Sequence, residues 1–453
     1  MSNQALLRIG REISQIQQGA DLCKSRTPGL LRAPIFLLPV THRDSILALA
    51  VACQEADIRN VKALIVGPPG TPYEFGFFEA MTTNGGRCRF NPNIYASGKE
   101  YMYTNNVLRT WEGSSGEQWS SAQGLESILI SIQSLMSANP YENEPGFENS
   151  KSPTDLKAMD NYIAKIRHEN IRISVIQRLE DWLGILPDGT IMPPTDEITE
   201  DEEMFGDEYS QPPFEPFKDL CKRRFLWYYE TYKNTMAEAE TKCPVGSRFQ
   251  RMQFEFTGNT MDGHFNYTEL TKRLDAIKNA IMKETDSWAE MGRKAIKNET
   301  RIAVNLQRQY EQIVEDLKNK RHFTIDISLD EGNPLVWMLT YFGRPMTHLD
   351  GGIFRIKIAL SPNFPDEQPR VIVQTPLFHH RISKDGILCY FPKKLEDMKA
   401  HIEAIVEALE DESPPYDPRA TVNPECSKLF WGSAEDKKKY NRMLRRSVQR
   451  SIE

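Results

Sequence analysis

The sequence predicts an α+β protein built on one plan used twice. The C-terminal third runs in order through a helix, antiparallel strands, an irregular segment holding a cysteine, and further helices, so helices and strands are segregated along the chain. The first half carries a reduced copy of the same order. A long helical periodicity over Tyr267 to Lys297 joins the two.

In the first half, Leu6, Ile9, Ile13 and Ile16 recur at helical spacing, and Lys62 to Val66 reads as a strand. Leu125 to Met136 is a further predicted helix. In the C-terminal third, Ile302, Leu306, Tyr310, Ile313 and Leu317 predict an amphipathic helix over Arg301 to Lys320. Phe323 to Leu329 and Val336 to Phe342 follow as strands around a turn at Glu331-Gly-Asn-Pro334. Within Ile353 to Leu360, Phe354, Ile356, Ile358 and Leu360 fall on one face, and Arg355 and Lys357 on the other. Val371 to Val373 is a short fourth strand. Met398, Ile402, Ile405, Val406 and Leu409 mark a second amphipathic helix, and a basic helix covers Ala434 to Ser451.

With 453 residues the chain is long enough for two or three domains. An apolar fraction of 40% with 10% aromatics places it among globular chains and not disordered ones. The net charge of −7 argues against general attraction to nucleic acid or an anionic membrane. Seven scattered cysteines form no CxxC pair and no zinc spacing, which suits a reducing compartment. No apolar run is long enough to span a bilayer and no leader pattern is visible, so a cytoplasmic or nuclear location is expected. The acidic, proline-flanked stretch 195–211 reads as a solvated loop.

Four blocks carry the functional reading. They are Gly351-Gly-Ile-Phe-Arg-Ile-Lys-Ile358, Asn363-Phe-Pro-Asp-Glu-Gln-Pro-Arg-Val371, Leu377-Phe-His-His-Arg-Ile382 and Val422-Asn-Pro-Glu-Cys-Ser-Lys-Leu-Phe430, with Asp385-Gly-Ile-Leu-Cys-Tyr-Phe-Pro392 set between the third and fourth. In this order and spacing they resemble the core of the ubiquitin-conjugating enzymes. The first half resembles the large member of that family that uses an alternative activating enzyme. That likeness rests on Gly67-Pro-Pro-Gly-Thr-Pro-Tyr-Glu-Phe-Gly-Phe-Phe78, Arg89 to Lys99, Trp119 to Gln123, Asn139 to Glu148, Phe225-Leu-Trp-Tyr-Tyr-Glu230 and Gly263 to Thr268. The resemblance implies two conjugating-type domains, a degenerate one over 1–150 and a second over 299–453, separated by a helical extension and linker over 151–298.

It also implies roles. Cys389 falls where the family keeps the cysteine that carries ubiquitin as a thioester, a step that needs an accessible thiolate beside oxyanion donors. Arg381 stands where the family has an asparagine, and its cationic donors support the oxyanion or loop by a longer stem. Asp417, near Asp411 and Glu412, is the acid that would orient an incoming lysine. The bland alternatives are a small buried cysteine, a surface arginine and a charged loop. His379 and His380 read as structural, with no metal spacing. In the first half Tyr101 lies at the cysteine position, and Cys88 precedes the Asn turn, so that half is expected to be non-catalytic. The stretch from Phe78 to Cys88 is too short for two strands and a proline-rich turn. Either the sheet is rebuilt using Ile46 to Asn60, or the transcript is mis-spliced.

The implied partners are ubiquitin or a similar modifier, an activating enzyme and a ligase. No bound cofactor is expected, because the activating enzyme consumes the ATP. The rival expectation is a non-catalytic adaptor that binds ubiquitin or pathway enzymes.

Overall fold

The computed structural model describes residues 35–37, 49–54, 57–80, 88–91, 94–96, 125–186, 189–191, 214–255, 261–319 and 324–453. The predicted opening helix over Leu6 to Ile16, Tyr101, Trp119 to Gln123 and the acidic stretch 195–211 lie outside them.

The second domain follows its sequence pattern closely. Helix α6 (Arg301–Asn319) leads into a four-stranded antiparallel sheet of β7 (Ile325–Asp330), β8 (Asn333–Phe342), β9 (Ile353–Ala359) and β10 (Arg370–Val373), paired in that order. Phe354, Ile356, Ile358 and Leu360 are all buried, as their alternation predicts, while Arg355 is exposed. Helix α7 (Met398–Glu410) lays Met398, Ile402, Ile405 and Leu409 onto the same core, and α9 (Ala434–Arg450) adds Tyr440, Leu444 and Val448. Between these two helices lies the short α8 (Pro424–Phe430). The β7–β8 turn is tighter than the four residues predicted. Glu331 and Gly332 alone turn the chain, at φ of 49° and 76°, and Asn333 and Pro334 already belong to β8. Two consecutive left-handed residues make the hairpin turn whose twist matches its strands.

In the first half, β1 (Ile35–Leu37), β2 (Leu49–Gln54), β3 (Asp57–Val66) and β4 (Phe77–Ala80) form a second antiparallel sheet in that order, and β5 (Cys88–Asn91) pairs with β6 (Ile94–Ala96) apart from it. The predicted strand from Lys62 is therefore longer, with residues 49–54 forming β2 and residues 57–61 the start of β3. The chain then passes through α1 (Leu125–Ser134) and α2 (Pro153–Glu169). A π-helical stretch (Asn170–Gln177) follows, and then α3 (Arg178–Leu183).

The two sheets share one loop, bond for bond. Residues 67–76 join β3 to β4, and residues 343–352 join β8 to β9. Gly67 N–H donates to Gly76 O at 2.8 Å, and Gly343 N–H to Gly352 O at 2.9 Å. Thr71 Oγ1 donates to Pro68 O at 2.8 Å, as Thr347 Oγ1 does to Arg344 O at 2.8 Å. Gly70 N–H donates to Glu74 Oε1, and Met346 N–H to Asp350 Oδ2, both at 3.1 Å. Both loops take positive φ at the fourth and ninth positions: Gly70 (74°) and Phe75 (55°) in one, Met346 (67°) and Gly351 (78°) in the other. The two loops thus share one hydrogen-bond pattern and one set of left-handed positions. Met346 is 97% exposed, so its side chain gains nothing in exchange for a strained backbone. Met346→Asn is expected to raise stability by about 0.5–1 kcal/mol, since asparagine enters the left-handed region more readily. A urea midpoint measured beside the wild type checks it.

Two long helices join the halves. Helix α4 (Lys218–Lys242) is buried on nearly every side over its first three turns, and α5 (Tyr267–Lys297) matches its predicted span. Buried all-round helices belong inside a protein, and α4 is clasped from two directions. On one side Phe75 stacks on Tyr228 with ring centroids 4.0 Å apart, and Tyr232 Oη donates to Phe75 O at 2.7 Å. On the other side α4 meets the second domain. Helix α5 grips the β7–β8 hairpin end, where Asn333 Nδ2 donates to Ala289 O at 2.7 Å and Gly292 lets the asparagine approach. One apolar core runs from Ala50 through α4 and α5 to Ile387, Cys389 and Val422.

Candidate active site

The cysteine segment is fastened along the outer edge of β10. Val373 N–H donates to Gly386 O at 2.8 Å, Leu388 N–H to Val371 O at 3.1 Å, and Cys389 N–H to Arg381 O at 2.9 Å. A Cβ on Gly386 would lie 2.3 Å from Val373 O, and its φ of 84° is also a glycine conformation. From behind, His380 O accepts from Val422 N–H (3.1 Å) and Asn423 N–H (3.3 Å). Asn423 Nδ2 donates to Ile382 O at 3.3 Å, and its Oδ1 caps α8 through Cys426 N–H at 3.2 Å.

Cys389 has no exposed surface. Burial pushes its thiol up to about 12; Arg381 and then Arg224 pull the other way, and Asp417 adds to the rise. Of the residues singled out from sequence, Arg381 is bonded to the cysteine through its backbone, Cys389 N–H donating to Arg381 O. The side chains of Arg381 and Asp417 have local partners, however. Arg381 Nη2 stands 3.9 Å from Asp411 Oδ2, and its side chain is 16% exposed, packed against the loop that holds Asp411. Asp417 Oδ1 accepts from Arg419 N–H at 2.9 Å and from Arg419 Nε at 3.0 Å, capping the turn Pro418–Ala420. The accessible thiol that thioester chemistry requires is therefore absent from this conformation.

Sequence reading missed the residues contributed from outside the domain. Arg223, Arg224, Trp227 and Tyr228 all come from α4. Trp227 meets Phe391 edge to face at 5.5 Å, Arg224 lies over both rings at 5.0 Å and 6.0 Å, and Arg224 Nη1 donates to the Tyr228 hydroxyl at 3.1 Å. The aromatic run Phe225–Tyr229 was the available signal, but nothing local says which distant segment it covers.

The histidine pair is structural in this conformation. His379 Nδ1 accepts from Arg381 N–H at 3.2 Å, and His380 stacks on Phe430 at 4.4 Å. Burial lowers His379 to about 3, with Arg381 adding to the effect, and drives His380 well down too. Burial likewise lowers His401 to about 4, its ring held between Tyr390 Oη and Leu395 O, both at 2.9 Å. For each, the folded value is below the unfolded one near 6.5, so the unfolded state takes up protons first. Stability is full above pH 6.5 and falls as the pH drops below it. His379→Asn should make the fall in urea midpoint between pH 7 and 5 shallower, a lost slope of at most about 1.4 kcal/mol per pH unit.

Among the described residues, no group of His, Cys, Asp or Glu could hold a metal ion, and no helix is long and apolar enough to cross a membrane. The family profile "Ubiquitin-conjugating enzyme" matches residues 305–444, which include Cys389, Arg381 and Asp417. "Ubiquitin-conjugating enzyme E2 Z" of Xenopus tropicalis is 34% identical over 297 residues, covering 62% of this chain and 73% of that protein. The chain belongs to the ubiquitin-conjugating enzyme family. The human E2 Z is 33% identical over 296 residues, and the match covers 62% of this chain and 64% of that relative's length. A human "Dual E2 ubiquitin-conjugating enzyme/E3 ubiquitin-protein ligase BIRC6" is 32% identical over 164 residues, 32% of this chain and 3% of that protein. The α+β fold of the family is present, with its conjugating domain in the C-terminal part.

Proposed function

We propose that this chain accepts ubiquitin, or a modifier of the same class, as a thioester on Cys389 and passes it to a lysine or a ligase. The observation that carries the reading is a cysteine inside the family-matched segment, fastened to β10, with its N–H bonded to Arg381 O. Cys389 Sγ, as thiolate, would attack the acyl carbon of the thioester held by an activating enzyme. The new S–C bond forms as the old one breaks, and the activating enzyme's sulfur leaves as thiolate. In the second step an amine nitrogen attacks the same carbon, an amide forms, and Cys389 leaves. Arg381 would carry the oxyanion charge and Asp417, once freed from Arg419, would orient the amine and take its proton. ATP is spent upstream, by the activating enzyme. On this reading 299–453 is the working domain, 1–150 a non-catalytic copy and 151–298 an extension, acting in the cytoplasm or nucleus.

The burial of Cys389 favours a second reading, a non-catalytic adaptor for ubiquitin or pathway enzymes. Charging with activating enzyme, ATP and ubiquitin, followed by non-reducing electrophoresis, separates them. A thiol-labile adduct that disappears in Cys389→Ser supports the carrier. An adduct that survives this substitution, or none at all after prolonged incubation with several activating enzymes, counts for the adaptor.

A further inference from the structure

We infer that helix α4 is a built-in cap on Cys389, and that its seat on the cysteine segment must part before the thiol can be charged. The inference rests on the carrier reading above and adds its regulation. Four α4 residues, Asp219, Arg223, Trp227 and Glu230, follow one another at helical spacing and so form a single stripe. That stripe runs along β10 and the cysteine segment fastened to it. Asp219 Oδ1 pairs with Arg370 Nη2 at 2.7 Å, and its Oδ2 accepts from Gln368 N–H at 3.1 Å. Arg223 bridges back to Asp219 at 3.1 Å. Trp227 meets Phe391, and Glu230 faces Lys384 at 3.9 Å. From α5, Lys278 pairs with Asp385. Residues 384, 385 and 391 flank Cys389 in sequence, and Cys389 itself is fully buried in the apolar core to which α4 contributes.

A modifier's extended C-terminus must lie against Cys389 to present its acyl carbon, and the core that α4 helps to build now encloses that thiol. The inner part of the seat, Asp219–Arg370 and Trp227–Phe391, is largely buried, and its outer rim is the part suited to release. Its outer pairs are exposed ions, Lys384 at 62% and Asp385 at 52%, whose attraction is weak in water. Charging in this closed state proceeds only through the fraction of molecules that are open.

The test uses the full chain and exchanges charges across the seat. Lys384→Glu with Asp385→Lys reverses both outer pairs at constant net charge, and adding Glu230→Lys with Lys278→Glu restores complementarity. Alkylation by N-ethylmaleimide is followed thiol by thiol by mass spectrometry, with half-buried Cys243 as the fast reference and Cys426, buried in the second domain's own core, as the unfolding control. The two-residue reversal should speed Cys389 alkylation at least tenfold, leave Cys426 unchanged, and be undone in the four-residue variant. Ubiquitin charging should follow the same order. Cys389 reacting as fast as Cys243 in the wild type, no response to the reversal, or Cys389 and Cys426 accelerating together would each overturn the cap. Opening without any ubiquitin adduct would leave the cap standing and defeat the carrier reading. Full-speed charging in all three proteins would do the reverse.

Discussion

Asp219→Ala is expected to lower the stability of the folded chain by about 3–5 kcal/mol, because removing one partner of a buried ion pair leaves the other charge uncompensated. Asp219 is nearly enclosed, and desolvation would raise its carboxyl; Arg370 and Arg223 more than reverse this and hold it below the usual range. The alanine would strand Arg370, which is only 4% exposed and packs over Trp288 with its guanidinium 5.3 Å from the ring. It would also orphan Gln368 N–H. Urea unfolding followed by tryptophan fluorescence reads the loss directly, since Trp227 and Trp288 both sit at this junction. Asp219→Leu combined with Arg370→Met should recover much of the loss by removing both charges together. If Asp219→Ala unfolds at the wild-type midpoint, the pair is not a fastening between the halves. The sign with pH follows: a carboxyl depressed in the folded state contributes fully above about pH 4, its unfolded value, and loses that contribution as the pH falls below it.

Gly343→Ala should be as damaging or more so. A Cβ there would lie 1.6 Å from Leu349 O and 2.5 Å from Leu349 C, and both obstacles are backbone. No rotamer change relieves the clash, so the loop or the β8–β9 pairing must shift, at about 4 kcal/mol or more. Gly67→Ala meets the matching obstacle at Tyr73 O, 1.7 Å away, and should behave alike in the first half. Gly332→Asn provides the contrast. Gly332 has a positive φ of 76°, which Gly343 and Gly67 lack, but it has open space around it, so the change should cost well under 1–2 kcal/mol. Urea midpoints of the three variants rank the effects, and equal midpoints would refute the steric account.

The second domain was legible in sequence because its signals are local. Alternation from Phe354 to Leu360 and the spacing from Met398 to Leu409 each state which face is buried, and both faces were placed correctly. The long helix from Tyr267 to Lys297 was legible for the same reason. Helix α4 was not, because a helix buried on nearly every side carries no polar stripe to set its phase. The turn at Glu331 was drawn two residues too long, since Asn333 and Pro334 look like turn residues but here begin an edge of β8. At the site, the sequence placed Cys389, Arg381 and Asp417 in one neighbourhood. It could not show Trp227 and Arg224 there, because contacts between residues about 160 positions apart leave no period to read.

The continuous core that ends at Cys389 has a consequence for the order of synthesis. Every α4 and α5 residue in that core precedes Cys389 along the chain, and so leaves the ribosome before it. With N-terminal parts folding first as the chain emerges, the shelter can form before the thiol it will hold. Until the last third arrives, however, the stripe through Trp227 has no partner and faces water. The newborn chain therefore passes through a stage in which Trp227 lacks its ring partner Phe391, before Cys389 itself has been made.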